Sequence, residues 1–100
     1  MLVFKHLSLY IPIKQHFKFK KEGSIGIVNN TFDFKLMYLN ETALTVFELI
    51  DGKRTIADIF EILLQEYNVQ KDILKSDLIN IIRDFQWGKI IRLKNVSKLT

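Results

Sequence analysis

Cysteine is absent from this chain of 100 residues, proline and tryptophan occur once each, and there are four glycines. The lack of cysteine excludes disulfides, thiolate metal sites and a cysteine nucleophile, and it is compatible with a reducing compartment. No apolar run approaches the roughly 18–20 residues needed to span a bilayer. The opening "MLVFKHLSLYIPIKQ" is interrupted by Lys5, His6 and Pro12 and lacks a small-residue cleavage site, so it does not read as a signal peptide. The expectation is a cytoplasmic protein without membrane attachment. Gly23 and Gly26 lack the spacing and the following helix of a phosphate loop, and read as turn and strand-packing glycines. His6 and His16 have no neighbours in sequence suited to holding a metal. The carboxylates are scattered along helix surfaces, and no nucleophile, base and oxyanion donor stand together. No metal, no cofactor and no catalysis are therefore expected.

Apolar residues make up 48% of the chain, enough for the single core of one small domain and too many for disorder. The net charge of +4 points first to nucleic acid, but its distribution argues otherwise. Residues 1–21 carry five lysines and no acid, and residues 89–100 carry Lys89, Arg92, Lys94 and Lys98 and no acid. All eleven acidic side chains lie in between, against six basic ones. The centre is acidic and the flanks are basic.

Alternation in "HFKFK" (16–20), the turn signal "KEGS", the run "IGIV" (25–28), the turn signal "NNT" and the run "FDFKLMYL" (32–39) predict three strands in a meander. In the third, Phe32, Phe34, Leu36 and Tyr38 would share one face and Asp33, Lys35 and Met37 the other. Asn40 is a good N-cap for a first helix with Ala43, Val46, Phe47 and Ile50 on its apolar face. Gly52 is expected to close that helix in the left-handed conformation. Thr55 and Asp58 resemble a capping box for a second helix carrying Ile56, Ile59, Phe60, Leu63, Leu64 and Tyr67. After "NVQ", in which Val69 is expected to be buried, a third helix spans about 71–87. Leu74, Leu78, Ile81 and Phe85 mark its centre, and Ile79 and Ile82 widen the stripe to one side, ending near Gln86. "KIIRL" (89–93) reads as a final short strand or extended tail. The whole is an α+β fold of winged helix-turn-helix type, with a three-stranded antiparallel sheet followed by three helices. Its expected divisions are an N-terminal arm or strand extension (1–16), the domain proper (17–93) and a C-terminal tail (94–100).

Two surfaces stand out. The third strand of a meander is a sheet edge with free N–H and C=O groups. The third helix carries more apolar surface than a core needs, although Ile79 and Ile82 are also accounted for as the ordinary width of a core stripe. Together they would form a groove suited to an extended peptide added as a further strand.

The stretch "YLNETALTVFELIDGKRTIADIFEILLQEYNV" resembles the pyrroloquinoline quinone biosynthesis protein D (PqqD-like) family, also called RiPP recognition elements. The matching features are Leu39 to Ala43, Leu49 to Gly52, Thr55-Ile56 and Tyr67-x-Val69, within a resemblance covering about 25–91. The chain departs from the pattern at "FQWGKII", where the family more often has Lys-Gly or Arg-Gly and Gly88 here comes first. The resemblance implies a non-catalytic chaperone. It would bind the leader of a ribosomally made precursor peptide as an added strand and present it to a modifying enzyme such as a radical enzyme, cyclase or leader protease. The implied cleft lies between the third strand and third helix, at Phe34, Lys35, Leu36, Met37 and Tyr38 on one side and Lys75, Ile79, Ile82, Arg83 and Gln86 on the other. Lys75 and Arg83 would meet acidic leader residues, and Lys18, Lys20 and Lys21 an acidic partner enzyme or the leader. The rival reading is a winged-helix DNA-binding transcriptional regulator. It needs a recognition helix presenting cations and amides, whereas the third helix presents Asp72, Asp77 and Asp84. No nucleic-acid partner is expected.

Overall fold

The computed structural model describes residues 3–95. Three strands, β2 (Phe17–Glu22), β3 (Ile25–Asn30) and β4 (Leu36–Leu39), form the antiparallel meander in the order β2-β3-β4. Gly23, with φ of +60°, makes the tight turn between β2 and β3. Gly26 is needed for close packing, because a Cβ there would come within 2.9 Å of Leu44 Cδ1. Alternation then sets the faces. Gly26, Val28 and Asn30 of β3 and Met37 and Leu39 of β4 face the helices, while Ile25, Leu36 and Tyr38 are exposed on the other side.

The third strand is half as long as the alternation predicts. Residues 31–35 are a turn, because Asn30 captures the backbone. Its side-chain oxygen accepts from Phe32 N (2.7 Å) and Asp33 N (3.4 Å), and its carbonyl accepts from Phe34 N (2.7 Å). Asparagine offers such local bonds in competition with a strand ladder. Phe34 is left with φ of +62°.

The helices follow their caps. Asn40 accepts from Ala43 N to start α2 (Glu41–Leu49), and Thr55 and Asp58 form a complete capping box for α3 (Ile56–Glu66). Helix α2 stops at Leu49 with Ile50 as its extended C-cap, so Gly52, at φ of +80°, is a turn residue beyond the end rather than the closing residue. In that turn the Asp51 carboxylate accepts from Arg54 N and Lys53 N, bonds that hold its pKa below the usual carboxylate range. Val69 is exposed, not buried. Helix α4 (Lys71–Trp87) buries Leu74, Leu78, Ile82 and Phe85. Its core-facing line thus runs through Ile82, and Ile81 lies on the flank, half-buried.

One apolar core joins the sheet to all three of these helices. Phe47 is at its centre, with the rings of Phe17, Phe19 and Phe85 at 5.4, 5.3 and 5.7 Å.

The described residues before β2 are not an arm and do not extend β2. Val3–Leu7 is a short helix, α1, and Tyr10–Lys14 is a strand, β1, paired antiparallel with β5 (Ile91–Asn95) in a separate two-stranded sheet. The final strand therefore runs past residue 93 to Asn95; the rest of the predicted tail lies outside the described residues. Phe4 packs edge-on against Phe60 at 5.0 Å, and Ala57 N donates to Ser8 O at 3.0 Å, which fixes α1 on the helical side. Pro12 is within β1, where a two-stranded ribbon leaves one edge free of ladder bonds.

Phe60 is 5% exposed and joins α1 to the core. Phe60→Ala should cost about 3–5 kcal/mol, as large aromatic truncations do. Urea unfolding checks this, and an unchanged midpoint would contradict the assigned packing.

Candidate functional site

Strand β4 is an outer strand of its sheet, and among the described residues nothing pairs with its free side. Beside it lies a hollow of about 490 Å³ lined by Met37, Tyr38, Leu39, Asn40, Ala43, Ile81, Asp84, Phe85, Trp87 and Gly88. That size lies in the range of ligand sites. The floor is apolar and belongs to the core margin. Tyr38 and Trp87, 69% and 84% exposed, stand at its mouth. The groove continues toward Asn40, Thr42, Asp77, Asn80 and Ile81, and a further shallow hollow beyond Trp87 is lined by Arg83, Gln86, Trp87 and Lys89.

The far end of the groove is fixed by Asn30, whose side chain is buried. While its oxygen holds the β3–β4 turn, its amide nitrogen donates to the carbonyl of Gly88 at the end of α4. A Cβ on Gly88 would collide with Met37 Cε, the end of a flexible side chain that packs over this glycine. Gly88 is the C-cap with an ordinary φ of −75°, and the left-handed residue after it is Lys89, at φ of +59°. Lys89 N donates to Gln86 O (3.0 Å) and Ile90 N to Phe85 O (3.1 Å), the bond pattern of a Schellman end with lysine in the position glycine usually takes.

The structure distributes the sequence-predicted site residues unevenly. Met37 and Tyr38 line the groove, and Leu36 is exposed on the outer face of β4. Phe34 and Lys35 precede the strand, in the turn. Ile82 is fully buried in the core, at 0% exposure. Lys75 points away from β4, with its ammonium 5.6 Å from the Phe4 ring centroid and 6.0 Å from that of Phe60. Ile79 is half-buried and is not part of the groove lining. Arg83 and Gln86 lie in the hollow behind Trp87. The flank of α4 that faces β4 is instead Asp77, Ile81, Asp84 and Gly88; the sequence reading had placed Asp77 and Asp84 away from the groove, Ile81 at the centre of the core stripe and Gly88 at the helix end. Trp87, an exposed tryptophan next to a helix-ending glycine, was the signal available for this flank.

Lys18 and Lys20 pair with Asn29 and Ile27 and project on the outer face of the sheet. Lys21 points the other way and meets Glu48 at 3.5 Å. Among the described residues no group of three or more His, Asp or Glu could hold a metal ion, and no helix is long and apolar enough to cross a membrane. His6 and His16 make ring contacts with Tyr10 and Phe32.

The model of the family described as coenzyme PQQ synthesis protein D (PqqD) matches residues 35–91, from the residue before β4 to the first residue of β5. More than half of the chain is matched, and the chain belongs to this family. No curated protein matches it in sequence. Among solved structures, TbiB1 in complex with the TbiA(beta) leader peptide has a TM-score of 0.72 at 12% identity, covering 80% of this chain and 93% of that one. At this identity the likeness shows a shared fold.

Two substitutions test the groove's fixed end. Asn30→Ala leaves the Gly88 carbonyl and the turn amides without their partner and should cost on the order of 1–3 kcal/mol, with amide shift changes at 31–35 and 86–90. Lys89→Gly relieves the left-handed backbone and should raise stability by about 1 kcal/mol, read from the same denaturation curves.

Proposed function

We propose that the protein is a non-catalytic peptide chaperone, which binds the leader segment of a ribosomally synthesised precursor peptide as a strand added to β4 and presents it to a modifying enzyme in the cytoplasm. The observation that carries this reading is the unpaired edge of β4 beside an apolar groove. An extended peptide would satisfy the free N–H and C=O groups of β4 and place every second side chain against α4. Membership of the PqqD family and the fold shared with TbiB1, whose structure includes a leader peptide, support the same ligand class.

The proposed contact set is accordingly Leu36 to Tyr38 with Ile81, Asp84 and Trp87. Phe34 and Lys35 would touch a ligand only as it leaves the strand, and Arg83 and Gln86 only beyond Trp87. Lys75, Ile79 and Ile82 support α4 from its other sides. The outer face of the sheet, with Ile27, Leu36 and Tyr38 among Lys18 and Lys20, is the proposed surface for the modifying enzyme. An added strand would extend that face, so the enzyme would meet chaperone and leader side by side. Helix α4 turns Asp72, Asp77 and Asp84 to solvent, which opposes docking in a DNA groove.

The test is to titrate the protein with a synthetic leader from a precursor gene beside its own. Backbone amide shifts should cluster at 36–40 and 77–88, with a change in Trp87 fluorescence. Shifts confined to α3 would place the groove wrongly. Association with the enzyme should slow with added salt, and Lys18→Ser with Lys20→Ser should remove most of that dependence. Salt-independent association would sink the assignment of the outer face.

A further inference from the structure

The groove is polar along its length as well as apolar on its floor. Its order is fixed by the antiparallel run of β4 and α4. Met37 lies against Gly88 at one end, and Asn40 shares a hollow with Asp77 and Ile81 at the other. Passing from Asn40 toward the β3–β4 turn, a ligand would meet Asp77, then Asp84, then the apolar floor under Tyr38 and Trp87, then Lys89; Arg83 lies around α4 from this line, on the other side of the indole. No lysine or arginine lines the first two hollows, and no carboxylate lines the last. Asp77, Asp84, Arg83 and Lys89 are all exposed, and none has an ion-pair partner among the described residues. Lys89 is held at the end of the groove by its left-handed backbone, with its ammonium 5.8 Å from the Phe32 ring centroid. The N-terminus of α2 adds about half a positive charge near Asn40, but Glu41 in its first turn already offsets that.

We propose that this charge order selects the ligand: a segment with an apolar anchor residue, a basic side chain on its Asp77–Asp84 side and an acidic side chain on its Lys89 side. The proposal rests on the groove reading above and narrows its substrate class. It also fixes direction. All pairings in this sheet are antiparallel, and a strand continuing that pattern along β4 runs from Asn40 toward Leu36. The basic residue therefore precedes the anchor in the ligand sequence, and the acidic residue follows it. A segment with the opposite order would set like charges against each other at both ends.

A random peptide display library selected on the full chain tests this. The same selection is run on Asp77→Lys/Asp84→Lys and on Lys89→Glu, after circular dichroism has shown that each variant melts like the parent. The parent should enrich peptides with a basic residue before the apolar anchor and an acidic residue after it. The first variant should lose only the basic preference, and the second only the acidic one. A selected peptide and its charge-exchanged counterpart should differ about five- to tenfold in Kd, as a few exposed ion pairs allow. The same charge preferences in all three proteins, or apolar peptides without charge order that still shift the Tyr38 amide and quench Trp87, would overturn the charge rule alone. Enriched peptides that leave Tyr38 and Trp87 unchanged would overturn the groove reading itself, and failure to enrich any peptide would count against both.

Discussion

The side chain of Asn30 determines how the sheet and the last helix meet. A buried amide is tolerated only when its donors and acceptors are matched. Here the oxygen is used by the β3–β4 turn and the nitrogen by the final carbonyl region of α4. The two ends of one planar group thus connect a loop to a helix terminus. The same residue shortens β4, since the backbone it captures is unable to continue as strand. The groove owes its closed end to this amide, and Met37 packs over Gly88 there.

The rest of the fold holds α4 at the other end. Helices α2 and α3 are each fixed by a side-chain cap and together place Phe47, Phe60 and Leu63 under α4. Phe47 receives aromatic edges or tilted faces from β2 and α4, an arrangement favoured by ring quadrupoles. The ammonium of Lys14, on β1, lies 4.3 Å from the Phe47 ring centroid. Burial there lowers its pKa, against the opposing pull of Glu48 and Asp51. The β1–β5 ribbon is thereby applied to the core by a cation as well as by apolar contacts. The groove is bounded by the packed helix α4 on one side and by the unpaired edge of β4 on the other.

Much of this was legible in the residues, because caps and turns are local chemistry. Asn40, Thr55 and Asp58 start their helices as read, and the meander follows its turn signals. The site was harder for a physical reason. Ile79, Ile81 and Ile82 are all apolar, and one residue of helix is a rotation of about 100°. Which isoleucine enters the core depends on what packs on each side. The side carrying Lys75 is occupied by Phe4 of α1, an element too short to show a period. Alternation in "FDFKLMYL" continued through residues that Asn30 withdraws from the strand. Ile82 and Phe34 were misplaced for these two reasons, and the acidic flank at Asp77 and Asp84 was taken for plain solvent surface.

The β1–β5 ribbon joins the two ends of the chain, with Tyr10 opposite Asn95. Such pairing closes a loop spanning 85 positions, and its entropy must be met before its bonds contribute. Between the two ends, the meander pairs strands adjacent in sequence, while Asn30 with Gly88 and Phe47 with Phe85 join segments far apart in the chain. The ribbon is thus the longest-range pairing among the described strands, laid over a body of sheet and helices whose own strand pairings are shorter in range.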